Sequence, residues 1–218
     1  MPPDAACERK FHNSGWRLVA GIDEAGRGCW AGPVVAAAVV FSPTILARPE
    51  ALAGIDDSKA LTRRQRERAY AQVYRLAEGV GVGVVPPSVI DASGIVPSTR
   101  LAMTVALLSL PCPFSALLID ALSLEVVSVP QYSLIKGDAR CLSIAAASIV
   151  AKVTRDRLMQ TADRAFPGYG FARHKGYGTD AHWKALQRLG PCGSHRMSFR
   201  PVAGMRDYLP PLDKVGEQ

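Results

Sequence analysis

The chain has 218 residues, 48% of them hydrophobic and 21% charged, which is enough to bury a sizeable core and fits one domain with a small C-terminal addition. No apolar segment is long enough to cross a bilayer, and residues 1–16 lack the apolar centre of a secretory signal and read as a loose tail. The net charge of +7 is unevenly spread, with eleven Lys and Arg against Asp156, Asp163 and Asp180 between Lys152 and Arg206. That basic quarter is either a footprint for a polyanion or a merely soluble basic surface.

Residues 17–23 read as a first strand and the Val-rich residues 33–41 as a second, joined by a short Gly-rich link that suits antiparallel pairing. A loop then runs to Asp56-Asp57-Ser58-Lys59. Thr62-Arg63-Arg64-Gln65 has capping-box spacing, and Ala69, Val73, Leu76 and Ala77 recur at helical intervals, so a helix is expected over 63–78. Arg63, Arg64, Arg66 and Arg68 fall on its exposed face. Residues 80–85 read as a third strand, 87–92 as a helical turn and 98–110 as a second helix. An apolar run over 114–119 delivers Asp120 at the end of a fourth strand, and 125–129 reads as a short fifth. Lys136-Gly137-Asp138 precedes a long helix over 142–165, apolar all round in its first half and therefore buried. Pro167-Gly168-Tyr169-Gly170 breaks that helix, and one more is expected over 180–189. The pattern predicts an α/β fold, a mixed five-stranded sheet with helices on its faces. Five scattered cysteines (Cys7, Cys29, Cys112, Cys141, Cys192) form no Cys-x-x-Cys pair and read as core fillers in a reduced, cytoplasmic compartment.

The stretch Gly21-Ile22-Asp23-Glu24-Ala25-Gly26-Arg27-Gly28 brings two adjacent carboxylates to the end of the apolar run Leu18-Val19-Ala20. Ionised carboxylates are costly to bury unless paired or bound to a cation. The glycines allow backbone to approach a ligand closely, and Arg27 adds a permanent charge. Consecutive strand residues face opposite ways, so Asp23 and Glu24 share a site only if the chain curls there. The alternative is a strand-to-turn junction with solvated acids. Asp120 at another strand end and Asp138 before a buried helix complete a set of four. Four carboxylates at one spot repel unless hard divalent cations lie between them, and an all-oxygen set suits Mg²⁺ or Mn²⁺. Two such ions, about 4 Å apart, activate a water and stabilise the leaving oxygen of a phosphodiester.

The ordered pieces at 21–28, Asp-Ser-Lys-Ala-Leu (57–61), Leu-Ile-Asp (118–120), Lys-Gly-Asp-Ala (136–139), 144–156 and Tyr-Gly-Phe-Ala-Arg-His-Lys-Gly-Tyr-Gly-Thr (169–179) resemble bacterial type II ribonuclease H, RNase HII. The resemblance covers residues 18–199. It implies a ribonuclease H-like catalytic domain over 17–166, after the 1–16 tail, and a basic helical extension over 167–218 that completes the substrate groove. It implies hydrolysis of the RNA strand of RNA–DNA hybrids and nicking 5′ of single ribonucleotides in duplex DNA. The products would carry 3′-hydroxyl and 5′-phosphate ends. By motif, the catalytic and metal-binding acids are Asp23, Glu24, Asp120 and Asp138, with two Mg²⁺ or Mn²⁺ ions. The backbone of Gly26, Arg27 and Gly28 would read the 2′-hydroxyl, the group that distinguishes RNA from DNA, and Tyr177 would pack on the sugar. Lys59 contacts a phosphate or belongs to a solvated loop. Lys152 and Arg155 are expected to pair with acids, and His174 and His195 to lie near phosphate or to pack. Cys29-Trp30 and Ala121 depart from the family pattern beside the site. A monomer without membrane association is expected. A catalytically silent nucleic-acid-binding module of the same fold is the alternative, and a type III ribonuclease H is disfavoured by the Lys-Gly-Tyr piece.

Overall fold

A computed structural model describes residues 2–120 and 122–205; Ala121 and the expected extension beyond residue 205 lie outside the described residues. The chain enters through α1 (Ala6–Asn13) and then lays down β1 (Val19–Ala25) and β2 (Val34–Val40). After the short α2 (Pro43–Leu46) and a 3₁₀ turn at Pro49–Leu52 come α3 (Arg63–Leu76), β3 (Gly79–Val85), α4 (Pro87–Ser93) and α5 (Ile95–Leu108). β4 (Ala116–Asp120), β5 (Gln131–Leu134), a 3₁₀ turn at Gly137–Ala139 and α6 (Leu142–Ala165) follow, and α7 (Phe171–His174), α8 (Asp180–Leu189) and a 3₁₀ turn at Val202–Met205 complete the described elements.

The five strands lie in the order β3-β2-β1-β4-β5. β2 runs antiparallel to both β1 and β3, while β1, β4 and β5 run parallel. Every residue of β2 is buried, because its two faces meet different helices. Ala37 and Val39 join the core under α6 and α3, and Val34, Ala36, Ala38 and Val40 join the core under α5, the period-two alternation of a strand. α3 begins with the capping box foreseen at Thr62 and Gln65. Gly21 lets α6 lie close on β1, since a Cβ there would meet Ser143 at 2.3 Å.

Within the segment expected as a loose tail, α1 packs against the head of α6. Glu8 of α1 is fully buried, and its Oε1 accepts from the Ser143 N–H at 2.7 Å and the Ser143 hydroxyl at 2.6 Å. Cys141, at the head of α6, offers no side-chain cap, so a carboxylate from another helix satisfies the open N–H there. The fifth strand also differs from expectation. Residues 125–129 form no strand because Gln131 bonds Leu124 N–H, Leu124 O and Val127 O and folds that stretch into a turn. Pairing with β4 begins only after Pro130, at Gln131.

Candidate active site

Because β1, β4 and β5 are parallel, their C-terminal ends lie at one edge, where open α/β sheets place their sites. The register Ile22↔Ile119 sets the next residues, Asp23 and Asp120, side by side. The turn after β5 brings Asp138 there too, as the Gly137 N–H donates to Asp120 Oδ1 at 2.8 Å. Glu24 takes the opposite face of β1 by alternation, yet its carboxyl still feels the charge of Asp120. The four acids named from the sequence therefore lie near one another at this edge of the sheet.

The site is electrostatically strained. Burial pushes the Asp23 carboxyl well above the usual aspartate range, and repulsion from Glu24, Asp120 and Asp138 pushes it further, against a bond from the Glu24 N–H. Burial also raises Glu24, with Arg27 acting in the other direction through a 3.1 Å ion pair. Glu24 Oε2 is buried without a hydrogen-bond partner. Lys59, expected on a phosphate or in a solvated loop, lies exposed in the loop before α3 and donates to Asp138 Oδ2 at 2.9 Å, which raises the pKa of its ammonium. Among the described residues no three His, Cys, Asp or Glu side chains stand in a closed ligand cluster. The donor set nonetheless fits a hard cation: it is all oxygen, mutually repelling, and includes an orphaned buried oxygen.

Beside the acids, the turn after β1 meets the loop after α7. Trp30 N–H donates to Gly176 O at 2.9 Å, and Arg196 N–H to Trp30 O at 2.8 Å. The indole of Trp30 lies 5.4 Å from His182 and 6.5 Å from Trp183, and Cys29 is fully buried. The Cys29-Trp30 departure thus binds the turn to the C-terminal helices. Tyr177 is 41% exposed, with Lys152 Nζ 5.4 Å and the Arg155 guanidinium 5.8 Å from its ring. Burial, followed by the neighbouring Cys29 thiol, raises the pKa of its phenol.

Lys152 pairs with Asp156 at 2.7 Å as expected. Among the described residues Arg155 pairs with no acid. It is fully buried and donates to the carbonyls of Pro33 (2.9 Å), Lys175 (2.9 Å) and Ala31 (3.0 Å). Arg196, unmarked in the sequence, is likewise fully buried and donates to Gly32 O (2.9 Å), Arg27 O (2.7 Å) and Gly26 O (2.6 Å). Burial lowers its pKa to about 10, so it remains charged at neutral pH. The histidines pack. His174 and His182 stack at 4.3 Å, and His182 Nε2 lies 3.1 Å from His195 Nε2. The Cys192 N–H donates to His195 Nδ1, and His182 Nδ1 faces Tyr177 O at 2.9 Å. One assignment satisfies every contact: His195 donates from Nε2 to His182, which donates from Nδ1 to Tyr177 O.

Parallel strands carrying acids to one edge of a five-stranded mixed sheet with flanking helices define a ribonuclease H-like protein. Two solved structures share the fold. The ribonuclease H2 of Pyrococcus horikoshii superposes with a TM-score of 0.74 at 26% identity, over 87% of this chain and 97% of that one. The Archaeoglobus fulgidus structure is a PCNA:RNase HII complex, with a TM-score of 0.71 at 26% identity, over 84% of this chain and 95% of the other. The family profile described as Ribonuclease HII matches residues 20–202. A ribonuclease HII of Chloroflexus aggregans is 62% identical over 207 residues, covering 95% of this chain and 98% of that protein. The chain belongs to the ribonuclease HII family, whose members are hydrolases acting on RNA in RNA–DNA hybrids. None of the described helices is long and apolar enough to cross a membrane.

Proposed function

We propose that this ribonuclease nicks duplex DNA 5′ of single embedded ribonucleotides as well as cutting longer hybrids, with Asp23, Glu24, Asp120 and Asp138 holding two divalent cations, Mg²⁺ or Mn²⁺. The observation that carries the metal assignment is the repulsion among these acids around a buried carboxyl, relieved only in part by Arg27 and Lys59. When bound, the ions supply a metal-activated water and charge stabilisation of the leaving oxygen. The chain's own side chains do the rest. Asp23 and Asp120 are fixed by strand register and Asp138 by the turn that holds Asp120, so the ligands are set by rigid elements. Lys59 sits on the most exposed side of that set, where release from Asp138 would free it for a substrate phosphate.

Ribose discrimination is assigned to the backbone of Gly26, Arg27 and Gly28 and to the half-exposed Tyr177, which flank the acids. Gly28 is exposed, and a Cβ there would meet nothing within 4 Å. Its backbone is open to a close-lying sugar.

The test is cleavage of a labelled duplex carrying one ribonucleotide, with Mg²⁺, Mn²⁺ or chelator, beside an all-DNA control. A metal-dependent nick 5′ of the ribonucleotide is expected, with 3′-hydroxyl and 5′-phosphate ends. Cutting of long hybrids alone would remove the single-ribonucleotide reading. Tight duplex binding without any cutting would point to a silent binding module.

A further inference from the structure

Two features remain outside the machinery above: the buried guanidiniums of Arg155 and Arg196. Among the described residues neither lies within ion-pair distance of a carboxylate. Together they donate to six main-chain carbonyls in three stretches of chain, at 26–27, 31–33 and 175. Unpaired buried cations are a costly way to join loops, and apolar side chains of similar volume commonly hold a core as well or better. What a guanidinium adds is direction, because its donors form a rigid planar fork.

That direction reaches the ribose-reading turn. Arg196 draws in the carbonyls of Gly26 and Arg27. In a trans peptide the N–H lies opposite the C=O of the same plane, so the Arg27 and Gly28 N–H groups are turned away from Arg196. Among the described residues neither of those N–H groups has a protein acceptor. Two open donors therefore stand beside Asp23 and Glu24, aimed by a side chain 169 positions further along. Arg155 fixes the other jaw, holding Lys175 O two residues before Tyr177 while gripping Ala31 and Pro33.

We infer that Arg196 is a positioning residue for substrate specificity, orienting the Arg27 and Gly28 N–H donors toward the 2′-hydroxyl, and that Arg155 sets the distance between those donors and Tyr177. The inference rests on the ribose-reading role given to that turn under Proposed function. An isolated ribonucleotide offers one 2′-hydroxyl, whereas a hybrid offers one at every nucleotide of the cut strand. A misaimed turn therefore harms cleavage of the former more.

The experiment compares kcat/KM on a duplex with one ribonucleotide and on a long RNA–DNA hybrid, for wild type and Arg196→Lys, at saturating metal and with melting temperatures recorded. Lysine keeps the charge and three donors but lacks the rigid planar fork that aims the carbonyls of Gly26, Arg27 and Gly32. Arg196→Lys is expected to lower single-ribonucleotide cleavage about ten- to a hundredfold, the scale of a small misplacement of reacting groups, and hybrid cleavage much less. A merely structural arginine would lower both equally or neither, and either result overturns the inference. If Arg196→Lys does not fold, Phe199→Leu decides instead. Its ring lies 5.0 Å from the Arg196 guanidinium, so its loss loosens the fork and should move the same ratio in the same direction by a smaller factor; an unmoved ratio overturns the inference. Gly28→Ala in the same assay separates the two readings. If it keeps the wild-type ratio, the turn does not read ribose; if it loses the ratio while the arginine variant keeps it, only the inference about Arg196 falls.

Discussion

Gly26 and Gly28 are two residues apart in the same motif, yet the structure predicts opposite consequences for replacing each with alanine. Gly26 has φ +94°, and a Cβ there would lie 2.0 Å from Arg155 Nε. Gly26→Ala must strain the backbone and displace the guanidinium from at least one carbonyl. Strain of about 1–3 kcal/mol and one charge-assisted bond of about 1.5–3 kcal/mol put the loss at about 2.5–6 kcal/mol. For a chain of this size that lowers the melting temperature by about 5–24 °C. Gly28 has neither constraint: its φ lies outside the left-handed region and a Cβ there meets open space. Gly28→Ala should change stability by less than about 0.5 kcal/mol. Its methyl group would nevertheless occupy the space assigned to the sugar, and cleavage beside a single ribonucleotide should fall at least about tenfold. Thermal melts and single-turnover cleavage on the purified variants measure the two effects separately. A Gly28→Ala enzyme that melts and cuts like wild type would refute the close approach of substrate there.

Asp23→Asn should abolish metal-dependent turnover while raising the melting temperature in chelator, because it removes the carboxylate that burial and its neighbours most disfavour; wild-type turnover in this variant would sink the metal assignment. Glu8→Ala leaves the Ser143 N–H at the head of α6 without its acceptor and should cost about 1–2 kcal/mol, read by denaturant titration. An unchanged midpoint would return α1 to the status of a tail. Burial holds His182 and His195 at about 4 against an ordinary 6.5, so the unfolded chain binds more protons between those values. Their contribution is complete above pH 6.5 and is lost as pH falls toward 4, by up to about 1.4 kcal/mol per pH unit for each histidine. A His195→Asn variant should therefore lose stability less steeply than wild type over that range, and an identical slope would contradict the neutral assignment.

The four acids, the capping box at Thr62, the long buried helix and the Gly-rich turn were all legible in sequence, because each is a local signal. Apolar periodicity marks the helix, side-chain chemistry marks the cap, and carboxylates at the ends of apolar runs mark the site proposed to hold cations. The fifth strand was misplaced because a short apolar run does not reveal that Gln131, beyond it, will take its backbone groups. The N-terminal helix escaped notice because it carries little apolar surface, and what holds it is a buried carboxylate bonded to Ser143, 135 positions away. The roles of Arg155 and Arg196 were equally hidden. Their partners are carbonyls, which every residue possesses, and only the folded chain decides which six come within reach. Side-chain chemistry along the chain thus determined what the candidate site is made of, whereas tertiary structure decided how its two jaws are joined, because backbone groups acquire distinct partners only through long-range packing.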